Sequence, residues 1–202
     1  MKAMTGLSMG LALALVACGR TPAPPPAAES AATGTERAGD EAPPTMPQEE
    51  AGNRALARLD GYGPLRFGDD VAQVRDAWQG ELNGPDDAGA GCIHLSPATT
   101  RLPRELAFMV EGGRFVRYDI GTAVPAAPGG GRVGMPLQEL QELYPDRAEL
   151  LPHKYVEGGH NLRVAPAAAG EGVLNFEIGS DGRVSAWRAG LPPQVDYVEG
   201  CS

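Results

Sequence analysis

The chain of 202 residues carries 17 lysines and arginines against 26 aspartates and glutamates, a formal net charge of −9. Such an acidic chain repels phosphate backbones and anionic lipid headgroups, which argues against nucleic acid as a partner. Twenty-eight glycines and 19 prolines call for many turns, and aromatic residues make up only 5% of the chain. At the start, Lys2 supplies a positive charge ahead of an apolar run over residues 7–17. That run has signal-peptide length and falls well short of the ~20 residues a membrane span needs. Residues 1–17 are therefore expected to be removed, leaving a mature chain more acidic by the charge of Lys2.

The run ends in Leu15-Val16-Ala17-Cys18, small residues followed by a thiol, which resembles the lipobox of bacterial lipoproteins. The resemblance implies cleavage before Cys18 and a diacylglycerol on its sulfur. Gly19, where an aspartate would retain the protein at the inner membrane, implies release to the outer membrane, with the protein facing the periplasm. Acyl chains contribute ~0.8 kcal/mol per buried methylene, so two or three of them hold a protein at the membrane almost permanently. From Cys18 to residue 59 the chain is rich in Pro, Ala, Glu and Gly, with no aromatic residue and no apolar periodicity; a disordered tether is expected. The folded part is placed at residues 60–202, enough for one domain with its own core.

Within that domain two segments echo one another. Gly63-Pro64-Leu65-Arg66-Phe67-Gly68-Asp69 leads into Val71, Val74 and Trp78, and Gly130-Gly131-Arg132-Val133-Gly134-Met135 leads into Leu137, Leu140 and Tyr144. The shared i, i+3, i+7 spacing predicts short amphipathic helices, capped by Asp69 or Asp70 in the first copy and started by Pro136 in the second. Extended runs closed by proline follow, at Ile93 to Pro97 and at Leu162 to Pro166. Two hairpins come next, one turning through Gly112-Gly113 and the other through Asp181-Gly182. The expected unit is helix, strand, strand, strand, used twice, as repeat one at residues 60–121 and repeat two at 130–202. The fold class expected from this is α+β, an antiparallel sheet with helices on one face.

The glycine-flanked approach, short helix and following strands resemble the small tandem modules of β-lactamase-inhibitor-like proteins and of the small lipoprotein subunit of the outer-membrane β-barrel assembly machinery. Pro136 replaces the usual Thr or Ser after the Gly-Met pair, and Asp69 stands where the first copy would have Met. The resemblance implies a binding or assembly module without catalysis.

Candidate functional residues are few. His94, His153 and His160 stand outside any nucleophile-elbow or zinc-protease motif, so neither a catalytic nor a metal site is assigned and no cofactor is expected. With Cys18 lipidated, Cys92 and Cys201 form an even pair expected to bridge in an oxidising compartment. Tyr155-Val156-Glu157-Gly158 and Tyr197-Val198-Glu199-Gly200 echo one another beside turns. Tyr155, Glu157, Tyr197 and Glu199 are therefore read as a composite patch for a ligand. Tyr118 and Trp187 are expected either as core anchors or as a stacking platform for a sugar ring. Two roles compete: a non-catalytic module that binds another envelope protein, and a carbohydrate-binding, lectin-like one. A periplasmic hydrolase using His153, His160 and nearby acids is the third reading, against which the missing motifs weigh.

Overall fold

The computed structural model describes residues 56–89 and 91–201. The expected signal segment, the lipidation site Cys18 and the tether as far as residue 55 lie outside the described residues. Three two-residue strands open the domain, β1 (Ala57–Arg58), β2 (Gly61–Tyr62) and β3 (Leu65–Arg66), paired antiparallel in that order. Ala57 and Arg58 thus belong to the folded part, although the tether was expected to reach residue 59. The β2–β3 pairing requires Gly61, whose φ is +154° and whose added Cβ would lie 1.9 Å from the Leu65 carbonyl oxygen.

Helix α1 (Val71–Ala77) starts in a capping box: the Asp70 carboxylate accepts the Gln73 amide at 2.9 Å, and the Gln73 side chain accepts the Asp70 amide at 2.9 Å. Helix α2 (Leu137–Leu143) has Pro136 at its N-cap, where no side chain satisfies the free amides. Between and after the helices come β4 (Leu82–Asn83), β5 (Cys92–Pro97), β6 (Leu106–Glu111), β7 (Arg114–Ile120), β8 (Ala148–Pro152), β9 (His160–Val164), β10 (Val173–Ile178) and β11 (Val184–Gly190). They form one antiparallel sheet in the order β4-β5-β6-β7-β11-β10-β9-β8. A 3-10 turn, Gln194–Asp196, follows β11. Both expected hairpins are present, β6–β7 through Gly112-Gly113 and β10–β11 through Asp181-Gly182.

The α+β expectation does not hold. Among the described residues the chain is mostly β, with an eight-stranded sheet, a three-stranded sheet and two helices of seven residues each. Two-turn helices cannot form a layer over eight strands. The core is closed instead by several small pieces: Tyr62 and Leu65 from the three-stranded sheet, Val71 and Val74 of α1, Leu140 of α2, and Ala127 from the segment that joins the two halves. Inside it the rings run in series. Trp78 meets Phe108 edge-on at 5.1 Å, Tyr62 lies 5.6 Å from Phe108 and 5.1 Å from Tyr118, and Tyr118 meets Trp187 at 5.7 Å. Trp187 then faces Phe176 at 6.3 Å, and Phe176 faces Tyr144 at 5.5 Å. Contacts of this kind are worth about 0.5–1.5 kcal/mol each beyond their buried area.

The opposite face of the sheet is polar. Register places Ala107, Asp119, Arg188, Asn175, Arg163 and Glu149 in one continuous row across β6, β7, β11, β10, β9 and β8. Arg117 and Gly190 oppose each other where the two halves meet. A Cβ on Gly190 would come within 2.7 Å of the Arg117 Cβ, so the missing side chain gives that arginine its room.

Candidate functional site

Burying arginine is costly unless the guanidinium is paired and hydrogen-bonded, and the polar row meets most of this need with the chain that follows β11, although Arg188 Nη2 has no partner among the described residues. Arg117, almost fully buried, holds Asp119 through Nε at 3.0 Å and donates through Nη1 to the carbonyls of Gln194 at 2.9 Å and Tyr197 at 2.6 Å. Arg188, buried to the same degree, donates through Nε to the Val195 carbonyl at 2.6 Å and through Nη1 to the Glu177 carboxylate. Arg163 reaches Asp196 at 3.0 Å. Val195 itself is fully buried. Residues 191–201 therefore form a strap across the polar face, held by three arginines on three different strands.

The strap ends in a covalent bond. Cys201 is bridged to Cys92 at the start of β5, with the two Cα atoms 5.2 Å apart and the two residues 109 positions apart in sequence. Beside this bridge lies a cleft of about 300 Å³, whose walls include Glu111, Lys154, Tyr197 and Glu199. The Gln194 side-chain amide donates to Glu111 on one side. On the other, the Tyr155 hydroxyl donates to Glu199. Lys154 Nζ stands 3.9 Å from the same carboxylate and 4.7 Å from the centre of the Tyr155 ring. The turn that presents these two side chains is fixed by His153, whose Nδ1 accepts the amides of Tyr155 at 3.1 Å and Val156 at 3.0 Å.

No family model and no curated protein matches the chain. Among solved structures, it is similar to an extracellular protein containing an SCP domain from Bacillus anthracis str. Ames, with a TM-score of 0.40 and 11% identity. The likeness covers 62% of this chain and 44% of that one, so the chain spans less than half the length of that protein. A likeness this slight carries nothing over to the present chain.

The echoed tetrapeptides do meet, through Tyr155 and Glu199, and Tyr197 lines the cleft between the strap's anchors. Glu157 is exposed and does not line the cleft. Tyr118 and Trp187 are 0% and 1% exposed, which removes both from any ligand surface and places them in the ring series of the core. The Tyr118 hydroxyl is spent on the Arg58 carbonyl at 2.9 Å. His153 is occupied in its turn, and His160 lies in β9 opposite Pro152 and Ile178. Among the described residues no group of three or more His, Cys, Asp or Glu is arranged to hold a metal. Sequence reasoning passed over Glu111 and Lys154, and also the arginines that hold the strap. The available signal was the polar residues kept at alternate strand positions, Arg117 with Asp119 in β7 and Asn175 with Glu177 in β10, which also fits an ordinary solvent face.

Proposed function

We propose that this protein is a lipid-anchored cell-envelope protein that acts as a non-catalytic binding module and takes its ligand in the cleft beside the Cys92–Cys201 bridge. The observation that carries the reading is the convergence there of two carboxylates, Glu111 and Glu199, and the Lys154 amine on a backbone held from both ends, with the exposed Tyr155 ring joined to Glu199 through its hydroxyl. Tyr155 is 54% exposed while its hydroxyl is fixed by Glu199, so its ring is presented at little ordering cost. Export is supported by the signal-like residues before Cys18 and by the disulfide, which persists in oxidising compartments. No helix among the described residues is long and apolar enough to cross a membrane, and the membrane attachment in this reading is the lipid on Cys18. The resemblance to tandem binding modules of the envelope supports a protein partner.

A carbohydrate ligand is the second reading. It is favoured by the pairing of the Tyr155 ring with the Glu199 carboxylate, since a sugar offers an apolar ring face and hydroxyl donors. It no longer draws on Tyr118 or Trp187. The test is capture from detergent-solubilised envelopes in parallel with a glycan array, using the wild-type chain and the Tyr155→Ala and Glu199→Gln variants. Both variants are expected to keep the wild-type melting temperature and to lose the captured partner or glycan. Normal capture by folded variants would overturn the assignment of the cleft.

A further inference from the structure

Lys154 is held differently from the cations that clamp the strap. Those are all arginines, and Lys2 and Lys154 are the only lysines of the chain. Arginine grips a carbonyl or carboxylate with a planar, pre-organised fork, whereas lysine is a point charge on a flexible four-carbon stem. The Lys154 ammonium is correspondingly loose. Nζ lies 3.9 Å from the Glu199 carboxylate, too long for a hydrogen bond, and 4.7 Å from the centre of the Tyr155 ring. Both side chains of the ion pair are more than half exposed, at 65% and 53%, and a pair so placed contributes little and is easily exchanged.

The lining around this ammonium is short of positive charge. Glu111 and Glu199 bring two carboxylates against the single amine, and the remaining lining residues carry no charge. Arg114, opposite Glu111 across the β6–β7 hairpin, donates instead to the Gly68 carbonyl at 3.1 Å. A carboxylate offers about four lone-pair sites. Glu111 accepts the Gln194 amide and Glu199 the Tyr155 hydroxyl, so both keep acceptor capacity for a further donor. The cleft therefore already receives an ammonium beside a carboxylate and a tyrosine ring, and holds it weakly.

We propose that the ligand of this cleft is a lysine side chain of a partner protein, and that Lys154 occupies its place until the partner arrives. The proposal rests on the binding reading above and adds the class of ligand. The incoming ammonium takes the position of the Lys154 ammonium, beside Glu199 and over the Tyr155 ring, and its methylene stem packs along Val198 and Tyr197. With Lys154 displaced, the partner's charge answers the two carboxylates. A cleft of about 300 Å³ is at the small end of ligand sites and suits one inserted side chain better than a run of sugars. A neutral sugar would also leave the excess negative charge unanswered. The net charge of −9 draws a basic partner surface toward the chain.

The test titrates the full-length chain by calorimetry at low ionic strength with a capped pentapeptide carrying one central lysine, and with its twin carrying norleucine there. The wild-type chain is expected to bind the lysine peptide and not the twin. Lys154→Met should bind it about two- to five-fold more tightly, the worth of an exposed ion pair or cation–π contact no longer competing. Glu199→Gln should lose it. Arg101→Gln, in the turn at the far end of the β5–β6 pair, removes an equal charge and should leave the affinity unchanged. All three variants are expected to melt with the wild-type chain. Equal binding of the twin, no gain in Lys154→Met, or an equal gain in Arg101→Gln would each overturn the proposal. Capture of an envelope partner or glycan that depends on Glu199, without binding of the lysine peptide, would overturn the ligand class and leave the cleft as the site. No capture that depends on Glu199, together with no peptide binding, would overturn both.

Discussion

Replacing both Cys92 and Cys201 by Ser removes a bridge between residues 109 positions apart. In the chain-entropy description, a loop of that length is worth about 5 kcal/mol, because the bridge restricts the unfolded chain far more than the folded one. For a domain near 150 residues, each kcal/mol shifts the melting temperature by roughly 2–4 °C, so a fall of about 10–20 °C is expected. The folded state itself should change little, since Arg117, Arg188 and Arg163 still hold the strap through Gln194, Val195, Asp196 and Tyr197. Thermal denaturation followed by far-UV circular dichroism measures the shift, and the wild-type chain in reducing agent serves as a second sample without the bridge. Both should melt at the same lowered temperature, with spectra at 25 °C that match the oxidised protein. A shift under about 3 °C would show that the unfolded chain is not appreciably restricted by the bridge and would refute the reasoning. A collapsed spectrum at 25 °C would show that the arginines cannot hold the strap alone.

Two further outcomes separate the polar row from the core. Arg188→Ala leaves the partly buried Glu177 carboxylate without its partner and the Val195 carbonyl without a donor; a loss of about 3–5 kcal/mol is expected by urea denaturation. Arg163→Ala removes a partly exposed pair with Asp196 and should cost no more than about 1 kcal/mol; equal losses for the two would refute the contrast. Burial pushes Tyr62 and Tyr144 up to about 12, above the ordinary value of 10.0. The unfolded chain therefore releases these protons first: their contribution to stability is complete below pH 10 and falls as the pH rises from 10 toward 12. Absorbance at 295 nm should show part of the tyrosine signal rising only together with alkaline unfolding, and a single transition complete before unfolding would contradict it.

How much of this was legible in the sequence differs from element to element. The hairpins were, because period-two alternation and a Gly-Gly or Asp-Gly turn are local signals that tertiary packing did not override. The disulfide was, because the lipidation expected at Cys18 would leave two thiols. The balance of the fold was not. Two-residue strands such as β1 to β4 are too short to show alternation, and β8, Ala-Glu-Leu-Leu-Pro, lies on an edge where neither face is buried enough to impose it. The helical stripes pointed to the right buried residues, Val71, Val74 and Leu140, but gave the helices more of the architecture than seven residues each can supply. At the candidate site, Tyr155 and Glu199 were legible as echoed motifs. The arginine clamp was not, because a charge at an alternate strand position reads the same whether water or a strap covers it.

That strap bears on how the cleft can bind. Buried guanidinium groups rarely gain as much as apolar packing of the same volume would, so their advantage lies in the geometry they impose. Here each takes a particular carbonyl or carboxylate: Gln194 and Tyr197 for Arg117, Val195 for Arg188, Asp196 for Arg163. The last clamped carbonyl is Tyr197, and the covalent anchor is Cys201. Only Val198, Glu199 and Gly200 lie between these two fixed points, and Glu199 is restrained further by the Tyr155 hydroxyl. A loop of three residues tied at both ends has little freedom left to lose. On the binding reading the ordering cost is met during folding, and a ligand gains nearly the whole of its contact energy. The serine variants should then weaken binding even where they remain folded, because cutting the anchor at Cys201 frees the cleft wall that carries Glu199. Equal affinity of the folded wild-type and double-serine chains would place the ligand elsewhere.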